Sequence, residues 1–451
     1  MAQITNIKKF AIKHDVRYLT VFIVDINGVL RGKRLPVDQL DRVINDGTRM
    51  PFSAANVDIW GRDIADSPLV FKSGDKDGKC IWTSRAPILM NGNESKNLYI
   101  PMSYANEDGS PYMGDSRNVL INVLQNYAAE NLTPVLGLEL EFYLTNPAAP
   151  DPAIANPLNG AQKVHDGVLS VDDISDYSKF LDEICECCEA NAIALEAISS
   201  ESGMSQFEIN LKHTEDVLKL ADGLVFLKNI IRLISRKNGF AATFMAKPFA
   251  FRPGNGIHAH FSLLNENKRN VFDNGTETGS DNMLSSVGGL LAHMRQSALI
   301  FAPHLNSFRR LSPKQHAPLN FTWGYENRTA AIRIPGGKYS SRRIEHRVAG
   351  ADTNIYLVLA AILGAALDGL LHGTRPPQPV LGDCSYSDIG QEDALPATWF
   401  EAISSFEQGN LIGGALNSVI RDMLIRTKRQ ELLTFAHDVS SFEYETYLET
   451  V

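Results

Sequence analysis

The stretch GLELEFYL, residues 137–144, decides the fold class. Glu139 and Glu141 fall on one side of an extended chain and Leu138, Leu140 and Phe142 on the other, because successive side chains of a β-strand point to opposite faces. Four further stretches sort the same way. In QFEINL (206–211), Gln206, Glu208 and Asn210 oppose Phe207, Ile209 and Leu211; in GIHAHFSL (256–263), His258, His260 and Ser262 oppose Ile257, Ala259 and Phe261. In AAIRIP (330–335), Arg333 opposes Ile332 and Ile334; in RRIEHRV (342–348), Arg343, Glu345 and Arg347 oppose Ile344, His346 and Val348. One such strand reads as the wetted side of an antiparallel sheet. Five that repeat Glu, His and Arg, in place of the usual surface mixture, predict a polar pocket lined by strands.

Working outward, β-type runs alternate from residue 134 with helical runs at 174–190, 214–237 and 282–297, and helical runs at 354–372, 395–408 and 411–431 finish the chain. Residues 146–167 are polar and read as an insertion loop. Upstream, extended runs at 18–26 and 29–35 flank Asn27-Gly28, a strong hairpin signal. The polar stretch SYANEDGSPYMGDSRN (103–118), followed by a helical run at 119–130, marks a domain boundary. The expected domains are residues 1–108 and 109–451.

Composition narrows the function. With 44% hydrophobic and 21% charged residues, the chain is neither disordered nor membrane-like. A net charge of −9 argues against a nucleic-acid surface. The first residues, MAQITNIKKFAIKHDVRYL, hold no apolar core of a secretory signal. The hydrophobic run 357–371 carries Asp368 and predicts a buried helix rather than a membrane span. Five cysteines, an odd number, favour a reducing, cytoplasmic setting; in the run 176–193, Ile184, Cys185 and Cys188 share a helical face with Leu181 and read as buried apolar residues.

Carboxylates with imidazole suit Mg²⁺ or Mn²⁺ better than structural zinc, since hard cations prefer oxygen ligands. The arginines then call for anionic partners, and a nucleoside triphosphate with a carboxylate substrate meets both demands. No GxxxxGK[ST] loop is present, which argues against a P-loop.

The same segments resemble the glutamine synthetase family over nearly the whole chain. GLELEFYL, ATFMAKPF, GNGIHAHFSL, LNSFRRLSP, ENRTAAIRIP and RRIEHRVAGADTNIYLVLAAI occur in the family's order. The resemblance implies an α+β fold: a small N-terminal β-grasp-like domain, then a large catalytic domain whose curved antiparallel sheet lines the active site. It implies an ATP-dependent ligase acting on L-glutamate, with two to three Mg²⁺ or Mn²⁺ per site, in a dodecamer of two hexameric rings. Position by position, Glu141, Glu201 and Glu208 look like ligands of the metal beside the acceptor, and Glu139, His258 and Glu345 like ligands of the metal that grips the nucleotide. Gly254, Arg310 and Arg347 resemble the glutamate site, His260 and Ser262 the nucleotide side, and Arg328 and Arg333 the phosphate-binding pair.

The sequence departs from the family at the acceptor site. Ammonia-using members carry a motif like FDGSSIGGW, where PFSAANVDIW (51–60) here puts Ser53 in place of the Asp; Ser53 and Trp60 would reach the site of a neighbouring subunit. A second motif like RLVPGYEAP appears as RLSPKQHAP (310–318), with His316 in place of the Glu. Two carboxylates would bind and deprotonate ammonium, so their loss, with VDINGVLRGKRLP (24–36), makes the chain look most like γ-glutamylputrescine synthetases and related γ-glutamylamide synthetases. An ammonia-using glutamine synthetase, a monoamine ligase and a silent structural member are the alternatives. Glu201 and His316 are the candidate bases, and Arg328 and Arg347 the groups that offset transition-state charge. Pro253 stands where many glutamine synthetases have an Asn. The regulatory tyrosine motif is lost from LGDCSYSDIGQEDALPATW (381–399), so adenylylation is expected to be absent.

Overall fold

The computed structural model describes residues 2–90, 96–149, 153–161, 165–311, 317–384, 394–410 and 412–451. The first five strands are β1 (Tyr18–Val24), β2 (Leu30–Pro36), β3 (Thr48–Pro51), β4 (Asp77–Trp82) and β5 (Asn97–Ala105), in the sheet order β2-β1-β5-β4-β3. β1 and β5 run parallel and the other pairs antiparallel. The expected hairpin is there: β1 and β2 pair from Tyr18–Pro36 to Val24–Leu30. Gly28 takes φ +78° in its turn, a conformation that costs glycine little. Helix Ser116–Ala129 starts three residues before the apolar run, because the Asp115 side chain accepts the Arg117 N–H at 2.9 Å and caps it.

The second sheet holds β6 (Thr133–Asn146), β7 (Ala153–Ile154), β8 (Leu195–Ser200), β9 (Gln206–Thr214), β10 (Ala241–Thr243), β11 (Ile257–Leu264), β12 (Trp323–Tyr325), β13 (Ile332–Ile334) and β14 (Ile344–His346). Its order is β12-β13-β14-β11-β6-β9-β8, with β7 and β10 also pairing β6. The pairs are antiparallel, as expected, except β12 with β13, which run parallel at one edge. The registers matter more than the order. His258 lies opposite Glu139, Glu208 opposite Glu141, Glu345 opposite His260, and Arg333 opposite Glu345. Cross-strand partners share a face, so the polar sets of five separate stretches merge into one.

The apolar sets merge on the other face. Leu138, Leu140, Phe142, Phe207, Ile209 and Phe261 are all buried, and helix Val217–Lys237 packs against β6 and β9. Each such side chain stabilises the fold by roughly 1.5–3 kcal/mol relative to exposure.

Helix Ile355–His372 is long and apolar enough to cross a membrane, but residues 355–367 are buried in the core. It crosses helix Asp281–Ala292 at paired glycines: a Cβ on Gly289 would stand 2.2 Å from the Ala365 carbonyl oxygen, and one on Gly369 2.3 Å from that of Ser285. Two helical runs end differently from expectation. The run at 282–297 breaks at His293 into Asp281–Ala292 and Met294–Phe301. The run at 411–431 becomes Ser418–His437, capped by Asn417, since Ile412, Gly413 and Gly414 take φ of +53°, +59° and +81° and cannot continue a right-handed helix. Cys185 is exposed, whereas Cys187 and Cys188 are buried, so the buried face of that helix is shifted from the one expected.

Candidate active site

Glu139 sits at the middle of the polar face. The imidazoles of His258 and His260, two residues apart on β11, each meet one oxygen of its carboxylate, at 3.0 and 2.9 Å. Burial alone would raise the Glu139 carboxyl, but those bonds and charges hold it far below the ordinary carboxylate range. The other ring nitrogen of His260, Nδ1, lies 3.4 Å from Arg343 Nε.

Across the face lies the opposite situation. Burial first, then the Glu139, Glu141 and Glu201 carboxylates, push Glu208 up to about 9. Burial and Glu141 push Glu201 up to about 7. Glu141 accepts the Gly256 N–H at 2.5 Å. Glu345 is fully buried; burial opposes its ionisation, yet Arg347, with His260, His258 and Arg333, holds it at about 2. Both oxygens of Glu345 are engaged, one by Arg333 Nη1 at 2.8 Å and the other by Arg347 Nη1.

Three sets of ligand atoms lie within 4.8 Å of one another: Glu141, Glu201 and Glu208; Glu139, Glu208 and His258; Glu139, His260 and Glu345. The expected grouping of Glu139, His258 and Glu345 is thus spread over two sets that share Glu139. The donors are carboxylate oxygens with ring nitrogens, which fits Mg²⁺ or Mn²⁺. The like-charge crowding that raises Glu208 is the strain a divalent cation would relieve.

The loop before β11 makes a second part of the site. Asn255, fully buried, donates through Nδ2 to the Met245 carbonyl at 2.9 Å. Gln206 Nε2 donates to the Gly254 carbonyl at 2.9 Å and to Asn255 Oδ1 at 3.0 Å. The arch so formed packs on Arg310: a Cβ on Gly254 would lie 2.4 Å from the Ala246 carbonyl oxygen and 2.8 Å from Arg310 Cγ, and one on Gly256 2.5 Å from Arg310 Nη2. Arg310 is buried and donates to the Val348 carbonyl at 2.8 Å. Arg347 Nε donates to the carbonyl of Arg328 at 3.1 Å, while the Arg328 side chain is exposed.

Beside these groups opens a cavity of about 940 Å³ whose lining includes Glu139, Asn210, His260, Ser262, Asn270 and Arg343. That volume suits a ligand of nucleotide size. Gln206, Asn210 and Arg343 were visible on the polar face of their strands without an assigned role. Asn255 was missed, and its signal was its place between two glycines in GNG.

The other expected residues lie elsewhere. Ser53 is buried in the turn Phe52–Ala55 after β3. Trp60 is 47% exposed, its ring 5.4 Å from that of Phe435 and 4.5 Å from the Arg62 guanidinium. His316 lies outside the described residues.

Comparison with known proteins agrees with this layout. The family model described as glutamine synthetase, catalytic domain, matches residues 113–447. γ-Glutamylputrescine synthetase PuuA of Escherichia coli K12 is 32% identical over 447 residues, covering 96% of this chain and 92% of its own. Glutamine synthetase of Pyrococcus abyssi is 32% identical, with 96% and 91% covered. Glutamate–isopropylamine ligase of a Pseudomonas species is 30% identical, with 100% and 98% covered. Among solved structures, the ADP complex of GmaS matches with a TM-score of 0.85 and 26% identity, over 98% of this chain and 99% of that one.

Proposed function

The chain belongs to the glutamine synthetase family, and from that premise we propose that it uses ATP to join the γ-carboxylate of L-glutamate to an amine, with putrescine or another polyamine or alkylamine preferred over ammonium. The observation that carries the reaction type is the single face on which Glu139, Glu141, Glu208, His258 and Glu345 converge.

In this reading Glu139, His258 and Glu345, whose ligand atoms fall in two sets that share Glu139, would draw together around the cation on the nucleotide side, and Glu141, Glu201 and Glu208 would hold the one beside the acceptor, with two to three Mg²⁺ or Mn²⁺ in all. Bound there, the cations supply charge neutralisation for phosphoryl transfer. Gly254, Arg310 and Arg347 seat glutamate; His260, Ser262, Arg328 and Arg333 face ATP. The γ-carboxylate attacks the terminal phosphate, ADP leaves, the amine nitrogen attacks the γ-glutamyl phosphate, and inorganic phosphate leaves as the amide forms. Arg328 and Arg347 offset the negative charge that builds up in each transition state. Glu201 and His316 are the two candidates to take the proton of the incoming amine.

Similarity does not choose the acceptor, since relatives named for putrescine, isopropylamine and glutamine stand at 32%, 30% and 32% identity. Ser53, standing where ammonia users carry an Asp, supports the larger amine. The site is proposed to be completed by Ser53 and Trp60 of a neighbouring subunit in a dodecamer of two hexameric rings, so a fully active monomer would count against it. The deciding experiment measures phosphate release with L-glutamate and Mg·ATP across ammonium, monoamines, diamines and polyamines. Ammonium outperforming every amine would make the chain a glutamine synthetase in the strict sense.

A further inference from the structure

A pair of buried charges stands apart from the groups the proposed chemistry uses. Lys428 and Glu431, one turn apart on helix Ser418–His437, are both fully buried, with Nζ 2.9 Å from Oε2. Burying two charges is unfavourable unless their remaining hydrogen-bonding capacity is met. Here the bonds go to separate segments of chain. Glu431 Oε1 accepts the Ile59 N–H at 2.8 Å. Lys428 Nζ donates to Asn27 Oδ1 at 2.6 Å, and Asn27 Nδ2 donates in turn to the Val57 carbonyl at 2.9 Å. Neighbouring side chains on the helix extend the attachment: Thr427 Oγ1 accepts from Asn56 Nδ2 at 2.7 Å, and Gln430 engages Asp58 Oδ2 at 2.9 Å and the Ala65 N–H at 2.8 Å.

The same ammonium also reaches the other way, to His304 Nδ1 at 3.5 Å. His304 caps helix Leu305–Arg310, and the last residue of that helix is Arg310. Little slack lies between the two. The His304 N–H donates to Ser307 Oγ at 3.1 Å, and Ser307 Oγ donates to Asp352 Oδ2 at 2.7 Å. At the far end, the Arg310 stem rests on Gly254 and its guanidinium on the Val348 carbonyl.

Resting on the reading of Arg310 as a glutamate-binding residue, we infer that Lys428 and Glu431 are positioning residues that hold the Arg310 helix and the segment 56–65 in one fixed relation, and so set the affinity for glutamate. A buried polar junction suits that task because each bond has a required direction, whereas apolar packing tolerates sliding.

Removing one charge strands the other, so the test changes both: Lys428→Met with Glu431→Gln keeps the volumes and an acceptor for the Ile59 N–H. A second variant, His304→Asn, keeps a favourable helix cap and is too short to meet Lys428. Initial rates of γ-glutamyl hydroxamate formation from L-glutamate, Mg·ATP and hydroxylamine give KM for each substrate. We expect KM for glutamate to rise about tenfold or more in both variants, with KM for ATP within about twofold and melting within about 3 °C of wild type. Arg310→Lys is the reference. If it raises KM for glutamate while either folded variant keeps the wild-type value, the positioning role is overturned. If Arg310→Lys itself leaves that KM unchanged, the reading of Arg310 fails and the inference falls with it. Should the paired variant not fold, His304→Asn alone decides.

Discussion

Glu208→Gln separates what the carboxylate cluster does to stability from what it does for the reaction. In the fold the Glu208 carboxyl is pushed from an ordinary 4.5 up to about 9. Between those values the folded chain keeps a proton that the unfolded chain releases, so stability falls with rising pH by about 1.4 kcal/mol per pH unit. From 4.5 to pH 8 that accumulates to about 5 kcal/mol. Glu201, pushed up to about 7, adds a similar slope that ends near pH 7. Above pH 7 the buried Lys228 ammonium, lowered by burial to about 7, adds the opposite slope to both proteins, so the difference in slope between wild type and variant belongs to Glu208, because glutamine carries no charge. The assay is denaturant unfolding in EDTA at fixed protein concentration from pH 6 to pH 9, repeated with Mg²⁺. Metal-free, the stability of the variant minus that of wild type should grow by about 1.4 kcal/mol per pH unit between pH 7 and pH 9 and amount to several kcal/mol at pH 8. Added Mg²⁺ should reverse the ranking, because ligand binding stabilises wild type by RT ln(1 + [L]/Kd) and the variant has lost a ligand. Equal slopes above pH 7 for the two proteins would refute the reasoning.

The remaining expectations concern separate parts of the site. Gly256→Ala puts a methyl 2.5 Å from Arg310 Nη2, so KM for glutamate should rise about tenfold or more with KM for ATP little changed, as initial rates will report. Arg347→Met leaves one oxygen of the buried Glu345 carboxylate without its partner while Arg333 still holds the other, and should destabilise by about 1–3 kcal/mol at pH 7. Glu345 is depressed to about 2, so its stabilisation is present above 4.5 and lost as pH falls; the gap between variant and wild type in unfolding experiments should narrow from pH 4.5 toward pH 2. For the acceptor, kcat/KM should be higher for putrescine or isopropylamine than for ammonium and rise toward alkaline pH as free amine appears, and Ser53→Asp with His316→Glu should shift preference toward ammonium. Gly289→Ala forces apart two core helices at a 2.2 Å contact and should lower stability by about 1–3 kcal/mol without changing KM for any substrate.

The polar face was legible because alternation is a local property: Glu139 and Glu141 must share a side wherever β6 goes. Which strand lies beside which is not local. Nothing in GLELEFYL or GIHAHFSL dictates that His258 stands opposite Glu139, and without that register the ligands could be grouped only by resemblance. The helix beginning at Ser418 was misjudged because apolar residues at 411–416 mimic helical periodicity, while the positive φ values at Ile412, Gly413 and Gly414 prohibit it. The Lys428–Glu431 pair left no readable mark. At i and i+3 on a helix, the two look like a solvent-exposed ion pair, and only the packing of distant segments around them makes them buried.

The registers of the large sheet also govern which changes in chain length the protein can survive. Adding or deleting one residue inside β6, β9 or β11 would exchange the two faces from that point on. In β6, Leu140 and Phe142 would turn onto the cation side and Glu139 and Glu141 into the hydrocarbon interior. Indels are therefore forbidden in those strands and admitted in the connections outside them, such as residues 106–111, and lineages that take up new acceptors should differ in the lengths of their loops while these strands keep the same residue count.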